Sequence, residues 1–598
     1  MARTDTVSWS AGVNTIVRVT RMAMATPWLA TFSVLATVVA SALMIWVPLL
    51  LGQAIDFAQQ TLTGEAGAAR RGLAVTAAMV LAVSILRGIF TTFQNYLAEA
   101  VGHHLAYRLR QRTYDKIQRL SFGFHDRIHS GELITLGMLD LEAVRMFFAT
   151  GLIRLVMLLI LIGFGAVMLL MTDPLLALVA LSFVPVVGVV SSFSQLRLRR
   201  TWLELQERLG VLSRVMEENL AGVRVVRAFA AQHHEMNKFR GASVDALGLA
   251  HERVRLRVGA AAIMTLSFMT AMGLVLWVGG RQVLAGEMTL GTLATFLTFM
   301  TILQMPVRQL GMLVNAFART STCGSRLFGL LDLEPAVQDP PGAPALVLGE
   351  GRLRFDDVGF AYPSAPDQPV LSRISFEARR GETIGIVGPQ GSGKSTIAQL
   401  VPRFYDVTEG RITIDGQDMR DVTLASLRKA VTVVQQDAFV FTTTLENNIA
   451  YGDPWADPRR IEAASSDAQI HGFIASLPEG YRTVLAERGA SLSGGQRQRL
   501  SIARGLMLSP PILIFDDSTA AIDARTEEQI LAALRQKAQD RLTILIAHRL
   551  NTLRHADRIF VLERGRIVEE GSPGALLASD SRYRSLHELQ TRAHEGAA

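Results

Sequence analysis

Three observations predict a multidomain membrane protein, with a six-helix all-α transmembrane domain followed by an α/β domain. Six apolar stretches reach spanning length, a Pro- and Gly-rich break follows, and short β-branched strands then alternate with helices. The chain has 598 residues, too many for one ordinary core. Hydrophobic residues make up 49% and charged residues 19%, with a mean hydropathy of +0.27, on the membrane side of the soluble average.

The apolar segments are 28–51, 73–97, 152–171, 175–195, 258–280 and 288–312. Each is close to the roughly 20 residues that a bilayer-spanning helix needs. Six of them together exclude a set of buried soluble helices. The first residues, through "RMAMATP", lack an apolar core followed by a small-residue cleavage site, so they read as a short amphipathic lead-in and not as a signal peptide.

Three connections are short: one with Arg70 and Arg71, a turn at Asp173-Pro174, and "GGRQVLAGEM". The other two are long and basic. The first carries Arg108, Arg110, Arg112, Lys116, Arg119 and Arg127, and the second runs from Arg197 to Arg257. By the positive-inside rule these connections and both termini lie on the cytoplasmic side of a plasma or bacterial inner membrane. The net charge of +7 therefore reads as topology, and no nucleic-acid partner is expected.

Both long connections keep apolar residues at helical spacing, as in "HHLAYRLRQRTYDKIQRL". About 25 such residues would carry a helix roughly 37 Å beyond the membrane. Each connection is expected to descend, bend and return, with bends near "SFGFHDRIHSGEL" and "ENLAGVRVVRAF".

Arg87 falls inside the second segment, where a charge marks either pairing within the bundle or substrate contact; pairing is the expectation. Met264, Met269, Met272, Met300 and Met305 suit an adaptable apolar pocket as well as ordinary packing. Cys323 is the only cysteine, which excludes an intrachain disulfide and a cysteine-built zinc site, and it reads as a packing residue.

"PAVQDPPGAPALVLGEG" separates the halves. The expected domains are 1–331, a linker 332–350, an α/β domain 351–590 and a tail 591–598. In the α/β part, "TIGIVGPQGSGKST" is an apolar strand, a glycine loop and a helix start. Gly388, Pro389, Gln390, Gly391, Ser392 and Gly393 let main-chain N–H groups curl around phosphates, Lys394 reaches the terminal phosphates, and Ser395 and Thr396 open the helix. Ser395 is a magnesium ligand in such a loop, and Asp516, ending "ILIFD", supplies the acidic group of a metal-assisted site. The cofactors implied are ATP and Mg2+.

With these pieces the chain resembles the ATP-binding cassette transporters, specifically exporter-type half-transporters with six membrane helices and one nucleotide-binding domain. "LSGGQRQRL", Leu492 to Leu500, is similar to the family signature. The resemblance implies that Ser493, Gly494, Gly495 and Gln496 bind ATP held by a second half-transporter subunit. It also implies that Tyr362 stacks on adenine, that Gln436, in preference to Gln435, touches magnesium, and that "AERG", Ala486 to Gly489, meets the partner's loops. Asp523 resembles the loop residue linking the two ATP sites, and His548 the switch histidine at the γ-phosphate. The two bends resemble coupling helices.

One residue departs from the pattern: Asp517 stands where the family has a glutamate acting on the attacking water. The missing methylene withdraws the carboxylate by roughly 1.5 Å if the backbone stays put. A shift near 1 Å already costs about a hundredfold in rate. The expectation is a site that binds MgATP and hydrolyses it slowly, in one subunit of a heterodimer whose competent site this chain's signature completes. A homodimer with two slow sites, an exporter-shaped importer of an iron carrier and an ATP-gated channel or regulator are the alternatives. The expected cargo is a small hydrophobic or amphipathic compound exported across the lipid bilayer.

Overall fold

The computed structural model describes residues 9–62, 66–547 and 549–595. The chain divides into two compact units, one formed by Met1–Gln118 with Gly131–Leu333 and the other by Arg119–Ser130 with Glu334–Ala598.

The first unit is all helical. An amphipathic helix α1 (Trp9–Ala23) precedes the spanning helices α2 (Pro27–Leu62) and α3 (Ala66–Arg119). At 1.5 Å per residue α3 is about 80 Å long, far more than a bilayer requires. After the short α4 (Phe122–His125) come α5 (Ser130–Thr172) and α6 (Pro174–Ala221), then the short α7 (Val223–Ala228), α8 (Gln232–Leu284) and α9 (Leu290–Leu331). All six long helices are apolar enough to cross a membrane, and α4 and α7 fall at the two expected bends.

Local chemistry fixes the helix ends. Asp173 caps α6 by accepting from Leu176 N, with Pro174 in the first turn, and its other oxygen accepts from Gln282 on α8. Asp56 on α2 reaches the start of α9, accepting from Gly291 N at 2.7 Å and from Thr289 Oγ1 at 2.9 Å. The two helices come so close there that a Cβ on Gly291 would lie 2.0 Å from the Gly52 carbonyl oxygen. The membrane core gathers Ile45, Leu161, Phe183, Phe268, Phe296 and Phe299, and Gly165 leaves the slot that the Phe299 ring fills. In lipid, which is as apolar as these side chains, the gain from such contacts is close van der Waals packing and not removal from water.

Within α5, two π-helical turns, Leu136–Asp140 and Phe147–Gly151, interrupt the regular pattern. Asp140 in the first is buried and ion-paired with Arg326 on α9 at 3.0 Å. Cys323, one turn before Arg326, is half-buried on the same helix.

The second unit carries two sheets. A six-stranded sheet has the order β10-β9-β3-β8-β7-β6, formed by β3 (Thr383–Val387), β6 (Val431–Val434), β7 (Ile512–Asp516), β8 (Leu542–Ile546), β9 (Arg558–Glu563) and β10 (Arg566–Gly571). All its pairs are parallel except β9 with β10. An antiparallel sheet of order β2-β1-β4-β5 comprises β1 (Leu353–Phe360), β2 (Leu371–Ala378), β4 (Glu409–Ile414) and β5 (Gln417–Asp418). Strand β7 is buried at every position, as a central parallel strand covered on both faces must be.

Two boundaries differ from the sequence reading. Arg119–Ser130, inside the stretch 1–331, groups with the second unit, because Phe122 stacks on Phe404 at 4.3 Å and the Tyr405 hydroxyl donates to Asp126. No break occurs at 591, since the last helix runs from Arg582 to Glu595.

Candidate nucleotide and substrate sites

The phosphate loop follows β3 and leads into α10 (Lys394–Leu400). Its glycines answer two requirements. A Cβ on Gly388 would sit 2.0 Å from the Leu562 carbonyl oxygen, and Gly393 holds φ at 99° as it starts the helix. Pro389, Gln390 and Gly391 are exposed at the tip, while Ser392 is buried with its Oγ lacking a protein partner among the described residues. The Lys394 ammonium curls back over the loop and donates to Gly388 O and Pro389 O, both at 2.9 Å. Burial pushes the pKa of Lys394 down, opposed by the charges of Asp517 and Asp516.

Ser395 Oγ donates to Asp516 Oδ1 at 2.8 Å, so the hydroxyl and carboxylate already converge. An orphaned buried hydroxyl, a cradle that a Cβ would fill, and paired oxygen donors together fit a phosphate with a hard divalent cation. Of the two glutamines, Gln436 reaches the site, with Nε2 at 3.4 Å from Asp517 Oδ2.

Asp517 is 8% exposed and adopts φ 46°, in the left-handed region that aspartate tolerates better than most residues. Its N–H donates to Ile546 O at 2.8 Å, pinning the backbone to the end of β8.

The remaining candidates are placed as follows. The Tyr362 hydroxyl donates to Gln399 Oε1 at 2.9 Å and pairs with Thr396 Oγ1 at 3.0 Å, and its ring meets Phe360 and Tyr405 edge-on. Burial pushes its pKa up. Ser493 caps α11 (Gly494–Met507) in a reciprocal box with Gln496: Ser493 Oγ accepts from Gln496 N, and Gln496 Oε1 accepts from Ser493 N. Gly494 and Gly495 form the first turn, and a Cβ on Gly495 would approach Ala521 O to 2.9 Å. Asp523 caps α12 (Ala524–Gln536) through Thr526 N, a bond that holds its carboxyl below the usual range. Arg488 of "AERG" sits at φ 52° in an exposed turn. His548 lies outside the described residues.

Sequence reasoning missed three supports. Glu527 is buried and accepts from Thr519 Oγ1 and Thr552 Oγ1, tying the segment after β7 to the segment after β8. Gln498 Oε1 accepts from Ala521 N, fastening α11 to the same region. Tyr405 and Asp126 connect the first bend to this unit. Only pairing across long sequence separations reveals them.

The membrane unit holds a second candidate site. A cavity of about 290 Å³ with a mixed lining brings Arg87, Arg154, Gln94, Asn95, Thr91 and Thr150 together with Met44, Ile153 and Met157. Against the expectation of bundle pairing, Arg87 has no ion-pair partner among the described residues. Adjoining it is an apolar cavity of about 430 Å³, lined by residues of α1, α2, α3 and α5 that include Val34, Val38, Val101, Phe148 and Val156. Ile153 lines both. The methionines singled out from sequence line neither: Met300 is fully buried in the core, Met264 and Met272 pack against it, and Met269 and Met305 are exposed.

Residues 30–307 match the family model of the ABC transporter transmembrane region, and residues 371–520 match the ABC transporter family model. An ATP-dependent lipid A-core flippase of Chromohalobacter salexigens is 38% identical over 86% of this chain and 88% of its own length. A putative multidrug export ATP-binding/permease protein of Bacillus subtilis, YgaD, is 34% identical over 93% of this chain and 96% of its own. The solved structure of a bacterial Atm1-family ABC exporter with ATP bound superposes with a TM-score of 0.80 at 32% identity, covering 94% of this chain and 99% of that one. With six spanning helices, a phosphate loop at the end of β3 and relatives matched along almost their whole length, the chain belongs to the exporter-type ATP-binding cassette transporters and is an integral membrane protein.

Proposed function

We propose that this chain is one subunit of an ATP-driven exporter of an amphiphile with an anionic head, working from the inner membrane with its nucleotide-binding domain in the cytoplasm. The observation that carries the substrate class is the junction at Ile153 of a cavity holding Arg87 and Arg154 with an apolar cavity. Two guanidiniums lining one cavity favour a carboxylate or phosphate, and the adjoining apolar walls favour a hydrocarbon chain. Relatives named as lipid A-core flippases and as a multidrug export protein are compatible with such a cargo.

In this reading Tyr362 stacks on adenine, and residues Gly388 to Thr396 wrap the phosphates. Lys394 exchanges its two carbonyl partners for phosphate oxygens, while Ser395, Asp516 and Gln436 hold magnesium, which neutralises phosphate charge when bound. Asp517 and His548 serve hydrolysis, with Asp517 set back from the attacking water. Ser493, Gly494, Gly495 and Gln496 complete the ATP site of a second subunit, and Asp523 links the two sites. An intact signature in the same chain as a shortened base supports a pair of unlike chains, in which this chain supplies the slow site and helps to form the fast one.

The test is flipping of a nitrobenzoxadiazole-labelled phosphatidate and of an uncharged diacylglycerol analogue in proteoliposomes of the assembled transporter. Arg87→Ala and Arg154→Ala are expected to slow ATP-dependent phosphatidate transport by about tenfold each, the scale of a lost charged hydrogen bond, and to spare the uncharged analogue. Equal loss of both, or of neither, would remove the anionic-head reading.

A further inference from the structure

Within the second unit, the first bend touches the nucleotide-binding fold at three places that converge beside Tyr362. Phe122 stacks on Phe404, with ring centroids 4.3 Å apart. Gly123 lies against Pro363, the residue after Tyr362, where a Cβ would stand 3.2 Å from Pro363 Cγ. The Tyr405 hydroxyl donates to Asp126 Oδ2 at 2.5 Å.

Tyr405 is buried, and its ring is edge-on to that of Tyr362 at 5.3 Å. Tyr362 is in turn tied through its hydroxyl to Thr396 and Gln399 on α10, the helix that begins at the phosphate loop. A continuous set of contacts therefore runs from α10 through Tyr362 and Tyr405 to Asp126. Burial and the Asp126 carboxylate both push the Tyr405 pKa up, so the phenol keeps its proton and stays a donor throughout the physiological range. A neutral phenol donating to a carboxylate is a charge-assisted bond, stronger and more directional than a neutral one.

We infer that Tyr405 and Asp126 are the positioning pair through which nucleotide seated on Tyr362 is sensed by the first bend. This rests on the reading that ATP binds at Lys394 with its base on Tyr362. A purine stacked on the free face of Tyr362 fixes the Tyr362-Pro363 segment, and that segment forms both the edge contact of Tyr405 and the seat of Gly123. Stacking therefore restrains the Tyr405 hydroxyl toward Asp126, and loss of nucleotide releases it. The aromatic contacts hold the bend in place in either state, while the single polar bond carries the dependence on nucleotide.

The experiment uses the full-length transporter in lipid nanodiscs. Hydrogen–deuterium exchange is followed for peptides spanning 119–130 with and without ATPγS and Mg2+, and affinity is measured separately with a fluorescent methylanthraniloyl-ATP. Nucleotide is expected to slow exchange of the bend by about tenfold in the unmodified protein, in line with a charge-assisted hydrogen bond. Tyr405→Phe, which keeps the ring, and Asp126→Asn should each abolish that slowing and leave nucleotide affinity within about twofold. The double variant should be no worse than either single one, as partners in one bond require.

Retained slowing in Tyr405→Phe would overturn the inference, as would additive losses in the double variant. So would exchange raised equally with and without nucleotide, which is what a purely structural contact gives. Nucleotide bound by the unmodified protein with no change in the bend would end the inference alone. Absence of nucleotide binding altogether would end the ATP reading on which it rests.

Discussion

Gln436 Nε2 stands 3.4 Å from Asp517 Oδ2, joining the loop after β6 to the residue that follows β7. At that length the hydrogen bond is weak, and its value lies in placement: the amide and the short carboxylate face one another beside the Ser395–Asp516 pair. In the proposed site Gln436 is a magnesium ligand. Gln436→Ala is expected to raise the Mg2+ concentration for half-maximal ATP hydrolysis by about tenfold, read from a magnesium titration of phosphate release.

The phosphate loop separates two kinds of glycine. Gly388→Ala places a methyl 2.0 Å from Leu562 O and forces the loop away from β9, whereas Gly391, at φ 78°, has nothing within 4 Å of a new Cβ. The first substitution should cost about 1–3 kcal/mol by overpacking, with loss of nucleotide binding. The second should cost only about 1–2 kcal/mol of backbone strain. Methylanthraniloyl-ATP titrations and thermal unfolding of the two variants compare them directly.

Gly495 lies in the first turn of α11, where an added Cβ would stand 2.9 Å from Ala521 O, so Gly495→Ala moves the helix start away from that loop. Hydrolysis at the ATP site that this signature completes should fall to background, while nucleotide binding by this chain's own phosphate loop persists. Phosphate release by the assembled complex, set beside nucleotide binding by the variant chain, checks both halves.

Asp56 caps the start of α9 from a different helix, and Gly52 and Gly291 let the two backbones meet. Asp56→Ala should lower stability by about 1–2 kcal/mol, the scale of a lost cap, with Asp56→Asn falling between it and the unmodified protein. Thermal unfolding in detergent gives the ranking.

Much of this architecture was legible because its signals are local. Spanning length, the basic connections and the glycine loop are each contained in a few tens of residues, and α4 and α7 fall where the helical pattern was expected to bend. What escaped depends on which faces meet. Arg154 lies near the start of the third apolar segment and lines the same cavity as Arg87 from another helix, a juxtaposition that neither segment announces. The methionines of α8 and α9 line neither cavity: Met300, Met264 and Met272 belong to the core, and Met269 and Met305 are exposed. Tyr405 and Asp126 stand 279 positions apart, and their bond explains why Arg119–Ser130 groups with the second unit. The two π-helical turns of α5 carry no mark in composition. The short carboxylate of Asp517 was plain in the sequence, but the bond from its N–H to Ile546 O was not.

The measurement that bears most directly on the central claim is phosphate release by this chain purified alone and by the assembled transporter, each in nanodiscs, the latter before and after Asp517→Glu in this chain. A set-back carboxylate predicts slow turnover by the chain alone, and turnover at its site in the assembled transporter that the added methylene raises by up to about a hundredfold, with nucleotide affinity unchanged. Fast turnover by the unmodified chain alone, or a rate that Asp517→Glu leaves where it was, would contradict both the slow site and the division of labour built on it.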